Sequence, residues 1–339
     1  MLQVTLRSPG GLKSLAMTET VAPAKASKGH VLVKVIASSL NYHDYWVATR
    51  SYVGGKEIVP LSDCAGIVVG IGDEVTKFSL GDRVVSTYFP TWVDYDCMPS
   101  DCNAVPGDGI DGYAQEYVSV PEGWLTFAPK DWSFEEAATI TTAGVTAWRA
   151  LNVDTQVSAG QTVLVLGTGG VSIYALQLAK HAGATVIATT SSDAKTKRLI
   201  ALGADHVVNY KETPEWGSAV RQLTGGKGAD IVVEVGGPGT LKESMIAASV
   251  GGHIAMIGAL TGGMGEISTV QLLLRQQTLK GLMVGTPADQ QRFIDELNRS
   301  TIRPVIDRAF GINDLAEAFE WQASGQHFGK IVVSIAAQK

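Results

Sequence analysis

Cysteine, clustered positive charge and long apolar runs are what this chain has least of. Three cysteines, Cys64, Cys97 and Cys102, stand among 339 residues. An odd and sparse set argues against a disulfide framework and fits a reducing compartment. Cys97 and Cys102 are spaced to pair or to share a metal, but no second pair accompanies them, and the plain reading is isolated thiols. Lys and Arg number 27 against 33 Asp and Glu, a formal net charge of −6. With no basic block in sight, neither nucleic acid nor an anionic membrane is expected as main partner. The longest apolar stretches, such as 250–260, are broken by glycine and fall well short of the ~20 residues of a membrane span. The first ten residues lack the charged and apolar regions of a secretory signal, so a cytoplasmic location is predicted.

What is present is a chain long enough for two domains and 45% hydrophobic, sufficient for sizeable cores. Its most informative stretch is Thr162-Val-Leu-Val-Leu-Gly-Thr-Gly-Gly-Val-Ser172, which runs into Ile-Tyr-Ala-Leu-Gln-Leu-Ala-Lys180. A strand-length apolar run meets a glycine turn and then a helix-period pattern. Gly167 suits the tight turn, Gly169 lets the backbone approach a pyrophosphate, and Thr168, Gly170 and Val171 complete the turn and open the helix. Ser172 replaces the usual third glycine and is small enough for close helix–strand packing. In this strand–turn–helix context the pattern predicts dinucleotide binding; the competing reading is a purely structural glycine turn.

From 161 onward, predicted strands at Thr162–Leu166, Thr185–Thr190, His206–Val208, Ile231–Val235 and His253–Ile257 alternate with helical patterns. That is the rhythm of a doubly wound parallel sheet, an α/β fold of Rossmann type. A last helix and strand are predicted at Leu315–Ser324 and Lys330–Ile335. The N-terminal third reads instead as short strands, at Val31–Ser38, Ile67–Gly70 and Arg83–Thr87, separated by tight turns. Residues 88–112 read as a lobe or long loop. Residues 134–151 have helical spacing, with Ser133 as N-cap and Glu135 and Glu136 in the first turn.

Together, Ser39-Leu-Asn-Tyr-His-Asp44, Ala65-Gly-Ile-Val-Val-Gly-Ile-Gly-Asp-Glu-Val75, Phe78-Ser-Leu-Gly-Asp-Arg-Val84, Gly144-Val-Thr-Ala-Trp148, the glycine fingerprint, Leu202-Gly-Ala-Asp205 and Gly329-Lys-Ile-Val-Val333 span nearly the whole chain. In this order the chain resembles the medium-chain dehydrogenase/reductase superfamily, and within it the zinc-free, quinone-oxidoreductase-like branch. The resemblance implies a GroES-like β-barrel catalytic domain split between 1–143 and 302–339, and a Rossmann dinucleotide-binding domain at 144–301, with a substrate cleft between them. It also implies a homodimer paired through an edge strand near Leu279–Val284.

Zinc-dependent members of that superfamily hold the catalytic metal with cysteine, histidine and cysteine. The matching positions here are Asn41, Ser62 and Thr142, none a good zinc ligand, so no metal is expected. Asp63 and His43 lie beside those positions but supply only two donors. For His43 a proton relay competes with a histidine satisfied by backbone bonds, and the latter is the expectation. Asp44 is expected to cap a helix starting near Tyr45.

The cofactor expected is NADPH. After the second strand, Thr190 stands where NAD-preferring folds place an acid, and Ser191, Ser192 and Lys195 follow; hydroxyls and a cation suit a 2′-phosphate. Asp193 is expected to start the next helix, and Arg198 to lie on a solvated face. By resemblance Tyr210 approaches the same phosphate, Thr146 faces the nicotinamide side, and Gly236 and Gly237 leave room for the ribose. Val284 and Gly285 present backbone groups to the carboxamide, and Lys330 lies near the cleft, with a surface role as the alternative.

Without a Lewis acid, hydrogen bonds must stabilise the negative charge that grows on oxygen as hydride is delivered. A quinone or enone spreads that charge and needs less polarisation than an isolated ketone. Tyr42, Tyr45, Trp46, Tyr88, Phe89 and Trp92 supply flat apolar walls for such a small-molecule substrate, unless they merely pack a core. Thr142 adds to that pocket. Tyr52 or Tyr42 is expected as proton source, Asn41 to position the substrate, and Asp44 to lie close by. Three functions therefore compete: an NADPH-dependent quinone or enone reductase, favoured; a metal-free carbonyl reductase or alcohol dehydrogenase; and a non-catalytic NADPH-binding sensor.

Overall fold

The computed structural model describes residues 1–50, 57–92 and 105–336. Tyr52, Cys97 and Cys102 lie outside the described residues. The chain divides into two compact units, Met1–Val145 with Gly285–Lys339, and Thr146–Val284.

The second unit is built on six parallel strands, and their order in space is His206–Asn209, Thr185–Thr190, Thr162–Leu166, Ala229–Glu234, Ala248–Met256 and Thr278–Gly281. Helices Gly170–His181, Asp193–Ala201, Trp216–Leu223 and Pro238–Ala247 connect them. A parallel sheet covered on both faces needs continuous apolar strands, and Val163, Leu164, Val165, Val186, Ile187, Val232 and Val233 are fully buried. The order reverses between Thr162–Leu166 and Ala229–Glu234. At such a switch point the carboxyl ends of the strands diverge and open a ligand crevice.

The first unit carries a seven-stranded, mainly antiparallel sheet. Its centre is the strand His30–Ser39, which pairs with Ala65–Ile71, Tyr117–Pro121 and Lys330–Ser334. Strands Arg83–Ser86 and Leu125–Phe127 extend one side and Ile306–Gly311 the other. Val332 pairs with Ser39, and the Leu40 N–H donates to the Ile331 carbonyl at 2.9 Å. This register brings Lys330, near the end of the chain, beside residues 40 and 41.

Ser133 caps its helix as expected: its Oγ accepts from the Glu136 N–H at 3.1 Å, and Glu136 accepts from the Ser133 N–H at 2.8 Å. The helix is not uniform. Wide π-helical turns occupy Ile140–Gly144 and Arg149–Val153, and the first carries Thr142. The chain leaves the first unit within this helix and returns at Gly285 rather than near 302. Helix Pro287–Leu297, expected in the nucleotide domain, belongs to the first unit because Gln290 is buried there, donating to the Ser86 carbonyl and to Thr126 Oγ1, each at 2.7 Å. Among the described residues no helix is long and apolar enough to cross a membrane.

Candidate active site

Helix Tyr42–Thr49 begins directly after the central strand, three residues earlier than expected. Asp44 is therefore not its cap but its third residue. It accepts from the Asn41 N–H at 2.8 Å, satisfying one of the helix's orphan donors. Its other oxygen takes the Ser62 N–H at 3.0 Å and the Ser62 hydroxyl at 2.9 Å. Asp44 is buried, and burial followed by the neighbouring Asp63 charge raises its pKa.

Asp63 is fully buried as well. Its Oδ2 accepts from Ser39 Oγ at 2.5 Å and its Oδ1 from Thr142 Oγ1 at 2.6 Å. Lys330 closes the network. Its Nζ donates to the Leu40 carbonyl at 2.7 Å and to Asn41 Oδ1 at 2.6 Å, and lies 3.6 Å from Asp63 Oδ2. Burial lowers the lysine's pKa, while Asp63 and Asp44 oppose that shift. Lys330, expected either near the cofactor or on the surface, is thus a buried side chain held inside the first unit.

The three positions matched to metal ligands fall together in this network. Asn41 Nδ2 faces Ser62 Oγ at 3.4 Å, and both Ser62 and Thr142 donate their hydroxyl hydrogens to carboxylates. An amide and two committed hydroxyls do not fit a catalytic zinc, which takes thiolate, imidazole or carboxylate. Among the described residues no three His, Cys, Asp or Glu side chains are grouped to hold a metal ion. Cys64 is buried beside Asp63, and burial pushes its thiol far up, leaving it inert.

Among the described residues the His43 ring makes no hydrogen bond to the backbone. Its Nε2 lies 3.2 Å from Asp108 Oδ2, and Arg50 pairs with the other oxygen of that carboxylate. The Arg50 guanidinium also stacks 4.6 Å from the Trp46 ring centroid. Burial raises the Asp108 pKa, but the nearby His43 ring and the Arg50 guanidinium outweigh it and hold the carboxyl below the usual range. Sequence reasoning missed Asp108, which sits in the stretch read only as a loop.

The aromatic residues divide into two groups. Tyr42 and Trp46 are half-exposed, as a contact surface requires. Tyr88, Phe89 and Trp92 are buried and stack edge to face, with centroids 4.7 and 5.6 Å apart. Tyr45 packs against the core through Phe319, 6.3 Å away. Core packing thus accounts for those four.

In the second unit the fingerprint takes the shape its residues predict. Gly167 has φ +73°, a left-handed conformation. Gly169 precedes the 12-residue helix Gly170–His181, Val171 stands in its first turn, and Thr168 is buried. A Cβ at Gly167 or Gly169 would meet nothing within 4 Å, so the space over the helix N-terminus is open to a ligand. Ser172 does more than replace a glycine: its hydroxyl donates to the Leu166 carbonyl at 2.6 Å and ties helix to strand. This open cradle fits a dinucleotide pyrophosphate.

At the second strand's end Thr190 is buried and accepts from the Ser192 N–H at 3.3 Å, while the Tyr210 N–H donates to the Thr190 carbonyl at 2.9 Å. Ser191 and Lys195 are partly exposed, and Asp193 opens the next helix and accepts from Asn209 at 3.1 Å. Thr146 is buried at the start of the unit.

Gly236 and Gly237 answer to a need within the chain. Their N–H groups donate to Glu234 Oε1 at 2.7 and 3.0 Å, and a Cβ at 236 would strike Thr240 Oγ1 at 2.3 Å. Glu234, missed by sequence reasoning, is a fully buried carboxylate that also accepts from Thr240 at 2.6 Å and from Ser244. An acid inside an apolar strand just before Gly-Gly-Pro was the readable signal. Val284 has φ +46°, a strained conformation for a β-branched residue. Gly285 leaves no room for a side chain, since a Cβ would lie 2.8 Å from Val145 Cγ1.

Comparison with known proteins finds a family model over part of each unit, the second running past Gly285 through helix Pro287–Leu297. Residues 27–130 match the model described as alcohol dehydrogenase GroES-like domain, and 170–299 match zinc-binding dehydrogenase. A zinc-type alcohol dehydrogenase-like protein of Schizosaccharomyces pombe is 40% identical over 333 residues, covering 96% of each chain. The chain belongs to the medium-chain dehydrogenase/reductase superfamily. It is a nicotinamide-dependent oxidoreductase, with a GroES-like domain and a Rossmann domain. A crystal structure of an NAD-dependent alcohol dehydrogenase is 32% identical with a TM-score of 0.88, covering 99% of this chain and 100% of that one. Human quinone oxidoreductase is 27% identical, over 92% of this chain and 90% of its own.

Proposed function

We propose that this protein is an NADPH-dependent reductase of quinones or α,β-unsaturated carbonyls that works without a metal. The observation that carries the reading is the state of Asn41, Ser62 and Thr142: neutral groups hydrogen-bonded into the Asp44–Asp63–Lys330 network. Such a site polarises an oxygen only through hydrogen bonds, which suffices for a conjugated acceptor better than for an isolated ketone.

The residues that hold the cofactor are those of the cradle, Gly167 to Val171. Thr190, Ser191, Ser192, Lys195 and Tyr210 favour the 2′-phosphate because no acid stands among the first three. The bound dihydronicotinamide supplies hydride. Asn41 then donates through its amide to the substrate oxygen as that oxygen gains charge. Tyr42, half-exposed, or Tyr52 supplies the proton that completes the product. Trp46 offers a flat face to a planar substrate.

A second reading is a metal-free carbonyl reductase or alcohol dehydrogenase; its alcohol chemistry follows the names of relatives, one of them called zinc-type. Product analysis separates the two. Chelator-treated protein with NADPH and an α,β-unsaturated ketone is expected to yield the saturated ketone. An allylic alcohol supports the second reading, and NADPH binding without turnover on enones, quinones and ketones supports a sensor. A homodimer fits the edge strand Thr278–Gly281 and the exposed Leu273, Leu274 and Met283 near it. The cytoplasm fits the sparse thiols.

A further inference from the structure

We propose that Lys330 is a positioning residue for Asn41, one that fixes which end of the amide is free and strengthens it as a hydrogen-bond donor. The inference rests on the metal-free reductase reading. The two residues are 289 positions apart in sequence and joined by a 2.6 Å hydrogen bond. Both are buried, Lys330 at 3% exposure and Asn41 at 7%.

The amide orientation follows from donor and acceptor chemistry. An ammonium has donors only, so the Asn41 atom 2.6 Å from it must be the carbonyl oxygen. The opposite side agrees. Ser62 gives its hydroxyl hydrogen to Asp44 and can offer only a lone pair to Asn41, and Nδ2 faces it at 3.4 Å. That contact is long. Among the described residues it is the one acceptor for two amide hydrogens, so the amide retains capacity to donate to a substrate oxygen.

The charge matters as well as the direction. A cation on an amide oxygen draws electron density from nitrogen and makes its hydrogens better donors, and in a buried site water does not screen the effect. Burying an ammonium is costly unless it is paired. Here the Leu40 carbonyl takes one hydrogen at 2.7 Å, and Asp63, 3.6 Å away, balances the charge. Asp63 is itself held by Ser39 and Thr142, which keeps it from pulling the lysine off Asn41. The chain thus sets the Lys330 ammonium, held by the Leu40 carbonyl and Asp63, directly behind the Asn41 amide.

The test compares wild type with Lys330→Met, Lys330→Arg, Asn41→Ala and the Lys330→Met/Asn41→Ala double variant. Lys330→Met is expected to lose roughly tenfold or more in kcat, with NADPH affinity, measured by fluorescence titration, left within about twofold. Lys330→Arg keeps the charge and should recover part of the loss. The double variant should be no slower than Asn41→Ala alone. Additive losses, or a loss of NADPH affinity that accounts for the rate, would overturn the proposal. A second measurement needs neither turnover nor a folded variant at Lys330. In wild-type protein labelled with 15N-asparagine, the side-chain NH2 signals lost in Asn41→Ala should lie downfield of the other asparagine side chains. Signals in the ordinary range contradict the proposal. If wild type reduces no enone or quinone while these signals are displaced, the functional reading fails and the Lys330–Asn41 relationship stands.

Discussion

Thr142 donates its hydroxyl hydrogen to Asp63 across 79 residues of sequence, at 2.6 Å. Both lie in the network that also holds Asn41, Ser62 and Lys330, and the bond joins the wide helical turn to the segment after Leu61. Replacing Thr142 by Val keeps the shape and leaves one oxygen of a fully buried carboxylate without its donor. A loss of about 1–3 kcal/mol is expected, read as a lower urea midpoint with an unchanged slope. A shift within error would mean that Asp63 is satisfied without Thr142.

Gly169 and Gly236 should respond to alanine in opposite ways. At 169 the new methyl meets open space, so stability should change by no more than about 0.5 kcal/mol. NADPH affinity should nevertheless fall, because the methyl stands where the pyrophosphate is bound. At 236 the methyl strikes the Thr240 side chain, and thermal stability should fall. Equal effects on stability at both positions would remove the distinction between an open cradle and a packed turn.

Thr190→Glu places a carboxylate at the end of the second strand. It should accept ribose hydroxyls and repel a 2′-phosphate, lowering the NADPH-to-NADH ratio of kcat/KM by roughly tenfold or more. Paired progress curves with the two cofactors give the ratio. An unmoved ratio would place the phosphate elsewhere.

Asp108 makes a pH-dependent prediction. Its folded pKa is held below the ordinary 3.8 by His43 and Arg50 against the effect of burial. A depressed carboxylate contributes stability above its unfolded pKa and loses it as pH falls through the folded value. Asp108→Asn should therefore be less stable than wild type at pH 7, and the gap should narrow below pH 3.8. A constant gap between pH 7 and pH 3 would show that the contribution does not depend on charge.

What was legible in the sequence was periodic or glycine-marked. Thr162–Leu166 and Thr185–Thr190 have the predicted ends, because buried parallel strands are continuous apolar runs between turns. Ser133 was readable as a cap from the two acids that follow it. Harder to read was anything set by distant pairing. Lys330 reads equally as a cleft lysine or a surface one until strand register places it beside Leu40, and Tyr45, Tyr88, Phe89 and Trp92 look like walls until packing covers them. Helix Pro287–Leu297 follows the last parallel strand in sequence, yet Gln290 fixes it in the other unit through bonds to residues 86 and 126. His43 was misread because its partner, Asp108, lies 65 residues away in a loop without periodicity.

The central claim is direct hydride delivery to a conjugated carbon without metal. The measurement that meets it most directly uses metal-stripped protein, NADPH carrying deuterium at the transferable C4 position, and an α,β-unsaturated ketone, with the product read by NMR. Direct delivery gives a saturated ketone with deuterium on the β-carbon. Deuterium on the carbinol carbon of an allylic alcohol, or turnover that appears only when zinc is restored, would contradict it.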